Sequence, residues 1–575
     1  MRLAASFFIA CLFVSLVVPL AQKANAQQEP RPKREGVITG RVIADGRPVA
    51  GAQVMVHSAV GRAGDMQTVA SDEDGFFKAL GLSPGAYSLR ARIPGYVVPS
   101  DPVGPPLLRI GENVTINLIK GGVITGRVTD EFGEPMVGLQ VMAYRVRTME
   151  GKPDSNVMEA PGAGRETDDR GVYRIFGLEP GIYVVGLSDF SFSAPGLAQP
   201  RNEQPVYHPS STRGAATEVT VHSGGEVSGV DIRRRVMRGH SINGAVTGAA
   251  DGRGLMDAVA IILLRAADRQ PVAATMLMGA KNFSLRGLED GEYDLVATQF
   301  DDSGEFPISA PRRVTIKGAD ISGIEVKLLK PGSIEGRVVI EPSKQSDTCK
   351  REDDFSIGEI LLNARRDEKT PSLFAALDSL KTMPGVGSAT PGDDGAFVLK
   401  NIEPGRLRIE TDLPGEHWYV RAITHKSSAS PKPVDASQNG IAVKSGEKVF
   451  GAELTVAEGA ASLKGKVVPA NETAKLPKRI RVHLVPAEAS AANEALRYYE
   501  RAADNEGAFE FKSLAPGRYL LRPRAEEESE SAAGPDRPVA WASIERAKLR
   551  REAEAAKNEI ELKPCQRVKD HILRW

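Results

Sequence analysis

The chain has 575 residues, of which 41% are hydrophobic and 26% charged, with 74 basic against 74 acidic side chains. These fractions exclude an intrinsically disordered chain, and the even charge balance removes the basic excess that a nucleic-acid binder needs. With 57 glycines, 38 prolines and only 6% aromatics, many turns and several small cores are expected rather than one large core.

Arg2 opens a short positive region, and residues 3–20 are apolar apart from Ser6, Ser15 and Pro19. Ala24-Asn25-Ala26 then places small residues at both positions of an A-x-A cleavage site, so residues 1–26 read as a signal peptide and the mature chain starts at Gln27. Two rivals are an uncleaved N-terminal anchor, since 18 apolar residues reach the lower limit of a span, and lipid modification at Cys11. No later stretch has the length and apolarity of a membrane span. The protein is therefore expected to be exported: periplasmic, outer-membrane-associated or extracellular.

The remainder repeats one unit five times, over residues 36–119, 121–236, 238–329, 331–457 and 459–575. Each copy opens with an alternating strand, as in Gly36-Val-Ile-Thr-Gly-Arg-Val42, Gly122-Val-Ile-Thr-Gly-Arg-Val128 and Gly332-Ser-Ile-Glu-Gly-Arg-Val338. In the first two copies a G-x-P-[VM]-x-G turn follows, Gly46 to Gly51 and Gly133 to Gly138. The second half is sharper: Gly75, Phe77, Leu82, Pro84, Gly85, Tyr87 and Leu89 recur as Gly171, Tyr173, Leu178, Pro180, Gly181, Tyr183 and Val185. Copy four keeps the spacing with Phe397, Leu399, Pro404, Gly405 and Leu407, and copy five with Phe509, Phe511, Pro516, Gly517 and Tyr519. In copy three Lys281 replaces the turn glycine and Asp290 the proline, which predicts the loosest hairpin of the five. Closing strands are expected at Val114-x-Ile116-x-Leu118, Val227 to Ile232, Ile321 to Val326, Val449 to Leu454 and Ile560-Glu-Leu562. Period-two alternation bounded by Gly and Pro is the signature of half-buried strands. The expected fold is all-β: five tandem antiparallel β-sandwich modules, with helical insertions at residues 371–383 and 489–503 and a helical tail at 541–557.

The G-x-V opening, the G-x-P-[VM]-x-G turn and the D-x-x-G-x-[FY]…L-x-P-G-x-Y block resemble the carboxypeptidase regulatory-like family. The resemblance implies sandwiches of transthyretin-like and starch-binding-domain-like topology. It also implies a mostly non-enzymatic role in secreted or envelope proteins of Gram-negative bacteria. Modules of this kind precede outer-membrane receptors and follow the catalytic domain of zinc carboxypeptidases, and neither partner domain has residues left here to build it.

Chemistry is sparse. None of the eight histidines forms H-x-x-E or H-E-x-x-H, and neither a G-x-S-x-G elbow nor a phosphate loop is present. No catalytic residue, metal ligand or cofactor is therefore expected. The acidic turns at Asp72 to Gly75, Asp168-Asp169 and Asp393 to Gly395 lack the further ligands of a calcium loop and read as turn chemistry. Internal isopeptide cross-links need a strand lysine, but the opening strands carry Arg41, Arg127 and Arg337, with Lys464 and Lys466 only in copy five. Sugar rings stack on exposed aromatic faces, and only Trp418-Tyr419 sets two large aromatics side by side; adjacent strand residues face opposite sides, so one is expected in the core and one exposed, with core packing or a scattered surface aromatic as the competing reading. The basic run Arg233-Arg-Arg235 with Arg238 lies at a junction, as a solvated linker or a contact for an anionic polymer. Cys349 and Cys565 either pair in an oxidising compartment or stay separate thiols. The expected function is a binding or scaffold protein of the envelope, with polysaccharide or envelope proteins as partners. The alternative is a purely structural spacer or accessory of an outer-membrane transport or secretion assembly, and the remote one a metallopeptidase built from distant residues.

Overall fold

The computed structural model describes residues 36–61, 66–99, 106–149, 151, 164–187, 203–248, 258–300, 304–341, 355–367, 386–426, 432–471, 475–477, 479–504, 506–525 and 538–575. The signal-peptide region, the candidate helix at 371–383 and Cys349 lie outside these residues.

Each copy builds two facing sheets. In the first, the opening strand Ile38–Ala44 pairs antiparallel with Phe76–Ala79 and parallel with the closing strand Asn113–Lys120. The second sheet sets Gln53–Ser58 between Gln67–Ala70 and Tyr87–Arg92. The fourth copy repeats this, with Gly332–Glu341 between Ala396–Ile402 and Lys448–Glu458, facing Leu361–Arg366 between Ser388–Ala389 and Gly405–Asp412. The opening and closing strands also run parallel in the second, third and fifth copies, so one pairing per sandwich departs from the otherwise antiparallel arrangement. In the third copy Ile308–Ser309 pairs with strands of both sheets and joins them into one eight-stranded sheet.

The opening motif has a steric cause. Gly40, Gly244, Gly336 and Gly465 each lie under the ring of the aromatic from the D-x-x-G-x-F block and against a carbonyl of the closing strand. A methyl group at Gly336 would sit 2.6 Å from Phe397 Cζ and 2.9 Å from Ala452 Cβ, and would overlap the Ala452 carbonyl. The following valine (Val42, Val128, Val246, Val338, Val467) returns to the core and is buried in every copy. The arginine between them is used as well: Nε of Arg41, Arg127 and Arg337 donates to the carbonyls of Asp74 (2.8 Å), Arg170 (2.9 Å) and Asp394 (2.9 Å). That bond staples the opening strand to the turn of its neighbour.

The Pro-Gly-x-Tyr turn is closed by its tyrosine. Each hydroxyl donates to the carbonyl four residues earlier, Tyr87 to Ser83 (2.6 Å), Tyr183 to Glu179 (2.7 Å), Tyr293 to Glu289 (2.8 Å) and Tyr519 to Ala515 (2.6 Å). The ring fills the core while its hydroxyl satisfies a turn carbonyl, so neither end of the side chain is wasted. In the fourth copy Leu407 fills the same place with apolar surface alone.

Two expectations need correction. In the fifth copy, Glu559–Leu562 pairs with the tyrosine strand Gly517–Ala525, and the strand parallel to the opening strand Ala461–Val468 is Arg567–Arg574. Residues 489–503 do not form a helix: 3-10 turns at Ala489–Ala491 and Ala495–Arg497 lead into the strand Tyr499–Ala502, which pairs with Ile480–Pro486. An alanine-rich composition favours helix locally, but edge pairing and burial of Tyr498 override it. In the third copy the bond from the opening strand to the position of the turn glycine is kept, Val246 N–H to the Lys281 carbonyl at 2.8 Å, equivalent to Val42 with Gly75 and Val467 with Gly507 at the same distance. The expected tail helix does form, over Ser543–Ala556, and buries Leu549 and Ala553 against Val485, Tyr498 and Leu520.

Candidate functional site

Trp418 and Tyr419 begin the strand Trp418–His425, which pairs antiparallel with Lys448–Glu458. Successive strand residues face opposite sides, and these two separate accordingly. Trp418 is 6% exposed, a member of the fourth core, with its ring edge-on to Phe355 at 4.5 Å between centroids. Its indole has no face to offer a sugar. Tyr419 is half-buried and points the other way, into a groove of about 380 Å³ between the fourth and fifth sandwiches.

Tyr419, Arg421, Asp435, Ser437, Glu494 and Arg497 supply the polar lining. Asp435 caps the short helix Ala436–Asn439, its Oδ1 accepting from the Ser437 and Gln438 amides at 2.8 and 3.3 Å. Arg421 meets Glu341 at 2.5 Å, and Arg497 donates to the Tyr519 hydroxyl at 3.2 Å while facing Glu488 at 3.3 Å. Burial pushes the Tyr419 phenol above its ordinary pKa, so it stays a neutral donor. Burial opposes the charge on Arg497, but Tyr519 and Glu488 outweigh it and hold the guanidinium above its usual value. The groove thus carries one aromatic ring and fixed donors and acceptors of both signs. That chemistry suits hydrogen bonding to a polyhydroxylated ligand; the hydroxyl of Ser437 donates to Asp435 Oδ1 at 2.6 Å as part of the same helix cap.

The same junction holds a cluster that sequence reasoning missed. Glu416 pairs with Lys512 at 3.0 Å and Arg567 at 3.1 Å, and Arg567 also donates to the Glu416 carbonyl. Despite burial, these two cations hold the Glu416 carboxyl below its ordinary value. Trp541 lies over Arg365 and Arg408 at 5.0 and 5.3 Å, and its carbonyl accepts from Arg408 at 3.0 Å. None of these residues is near its partner in sequence, so only the position of Trp541 at a helix start was legible.

The other candidates fall into structural roles. Asp72 Oδ1 accepts from the amides of Asp74 (3.0 Å) and Phe76 (2.8 Å), and Asp168 does the same for Arg170 and Val172, which is turn chemistry. Among the described residues no three His, Cys, Asp or Glu side chains converge on one point. Arg233 donates to the Glu131 carbonyl and Arg234 pairs with Glu203, so two cations of the basic run are engaged within the second sandwich. Lys464 and Lys466 face solvent. Cys565 is disulfide-bonded, and Cys349, the partner considered for it, lies outside the described residues. No helix among the described residues is long and apolar enough to cross a membrane.

The carboxypeptidase regulatory-like domain matches residues 37–106, the span from the opening Val37 through the Pro-Gly-x-Tyr turn. Residues 37–106 are a carboxypeptidase regulatory-like domain. The match thus covers the first of the five sandwiches up to its closing strand Asn113–Lys120, and the other four sandwiches share the strand pairing of the first. No curated protein matches the sequence. Among solved structures the chain is similar to GBS52, the minor pilin of Streptococcus agalactiae (16% identity, 35% of this chain and 96% of that chain, TM-score 0.18). It is also similar to two B repeat units of the collagen binding protein of Staphylococcus aureus (11% identity, 74% and 100%, TM-score 0.13). The Bacillus anthracis TIE protein is a third (15% identity, TM-score 0.13), and the chain spans about half the length of that one (51%).

Proposed function

We propose that the protein is an exported, non-enzymatic binding scaffold of the bacterial envelope, with polysaccharide as its ligand class. The observation that carries the reading is that neighbouring sandwiches are fastened by directed polar contacts. Ser223 donates to the Lys120 carbonyl at 2.8 Å between the first and second copies. Asn401 exchanges hydrogen bonds with Phe306 (2.9 Å) and Gly304 (3.0 Å) between the third and fourth, and the Glu416 cluster binds the fourth to the fifth. Such contacts restrict the orientation of neighbours without locking it, which suits a scaffold more than a freely flexible spacer.

The test is retention of the mature chain, residues 27–575, on a panel of polysaccharides including peptidoglycan. Saturable retention that falls at least tenfold in Tyr419→Ala, with the far-UV spectrum kept, supports binding at the groove. Trp418→Ala is the wrong probe, since emptying a buried indole site costs about 3–5 kcal/mol and unfolds the fourth sandwich instead. No retention on any polymer removes the ligand reading and leaves the spacer.

A further inference from the structure

In every copy one short segment pairs with the strand that carries the tyrosine position, and the register is the same. Tyr87 faces Leu108, Tyr183 faces Val219, Tyr293 faces Val314, Leu407 faces Ile441 and Tyr519 faces Ile560. The residue after each partner points away from the core, and it is Arg109, Thr220, Thr315, Ala442 and Glu561 in turn. Thr220, Thr315, Ala442 and Glu561 are exposed, as an outward residue should be. Arg109 alone is buried, at 4% exposure, and it is the longest and always charged member of the set.

What covers it is the fourth sandwich. Arg109 Nε donates to the Glu359 carbonyl at 2.8 Å, and its guanidinium pairs with the Asp412 carboxylate. The contact spans 250 and 303 residues of chain. Beside it, the Pro84 carbonyl lies 3.4 Å from where a side chain on Gly358 would begin. The rest of the contact is not close-packed: a cleft of about 370 Å³ separates Val60 from Ala389, Phe397 and Lys400.

We propose that Arg109 is a latch that docks the first sandwich on the fourth, closing the first four into an arc, and that the array opens to an extended string when the latch is removed. A charge-assisted cluster beside an open cleft holds by a few directed bonds rather than by buried apolar area, so one side chain decides the state. Losing the charged hydrogen bonds should shift the closed-to-open ratio roughly 10- to 100-fold. This arrangement is independent of any ligand and stands or falls apart from polysaccharide retention.

The experiment is small-angle scattering on the monomeric peak of the mature chain. The unaltered protein should be compact. Arg109→Ala should raise both radius of gyration and maximum dimension with its far-UV spectrum retained, and Asp412→Asn should raise them less. Thr220→Ala, at the equivalent outward position of the second copy, should change neither. An extended unaltered protein overturns the proposal, as does an Arg109→Ala chain as compact as the parent. Should Arg109→Ala lose its fold, Asp412→Asn decides, because that carboxylate is half exposed at 51% and its loss leaves the fourth core intact. Unchanged dimensions there also overturn it.

Discussion

Gly336→Ala is the sharpest test of why the opening strands carry a central glycine. The added methyl would lie 2.6 Å from Phe397 Cζ and 2.9 Å from Ala452 Cβ, against an ordinary contact of 3.4 Å or more, and would overlap the Ala452 carbonyl. Phe397 is a core residue and Ala452 is backbone-paired with Gly336 itself, so neither can move without cost. Relief requires the opening and closing strands to part or the ring to leave its rotamer, an overpacking cost of about 1–3 kcal/mol. A carbonyl that cannot rotate away places this site at the upper end, about 2–3 kcal/mol after the small gain from removing a strand glycine. Five sandwiches will not melt as one two-state unit, so the assay is amide exchange followed by mass spectrometry. Peptides from Gly332–Glu341 and Lys448–Glu458 should exchange roughly 30- to 150-fold faster, with the first and second sandwiches unchanged. Gly214→Ala is the control, since nothing lies within 4 Å of its added methyl and its backbone is unstrained. Unchanged protection in Gly336→Ala would refute the steric account and leave the glycine without a packing role.

Two further predictions bear on single side chains. Tyr87→Phe keeps the buried ring but strands the Ser83 carbonyl, and should lower the local stability of the first sandwich by about 1–2 kcal/mol, read as faster exchange in Tyr87–Arg92. His483 is buried in the fifth core, where burial, then Arg524 and Arg481, lower its pKa to about 3. The folded state therefore stays unprotonated while the unfolded chain binds a proton below its ordinary value near 6.5. The contribution is complete above pH 6.5 and is lost as pH falls toward 3, the loss having reached about 2 kcal/mol at pH 5. Replacing His483 with methionine should flatten that part of the pH dependence in peptides of Ile480–Pro486, after correction for intrinsic exchange; a slope that persists would assign it to another group.

Most of the sandwich was legible because its rules are local. Gly75 and Gly171 mark turns at φ 76° and 71°, alternation marks faces, and the Pro-Gly-x-Tyr block marks a reversal that its own hydroxyl closes. The errors came where a local rule met a tertiary one. Ile560-Glu-Leu562 alternates as a closing strand should, but it is the partner of the tyrosine strand. The closing role falls to Val568, Ile572 and Leu573 beyond the turn at Cys565, which has a positive φ of 59°. The alanine-rich residues 489–503 looked helical because composition cannot report an available sheet edge. At the groove, alternation showed that Trp418 and Tyr419 must part company, but not which of them the core would take. Arg109 had no local mark at all, since its meaning lies in residues 250 positions away.

The parallel pairing of first and last strands has a mechanical consequence. Chain enters each sandwich at one end and leaves at the opposite end along adjacent strands, so tension between the ends drags these two strands past each other lengthwise. Every bond of the ladder must then fail together, as in a lap joint, rather than one after another as in a zipper. The ladder has six paired positions in the first sandwich and eight in the fourth, but only four in the second, where the closing strand is interrupted between Val227 and Ile232. Under load the second sandwich is the weak link, and the fourth, which anchors both the fifth and the latch to the first, is the last to yield.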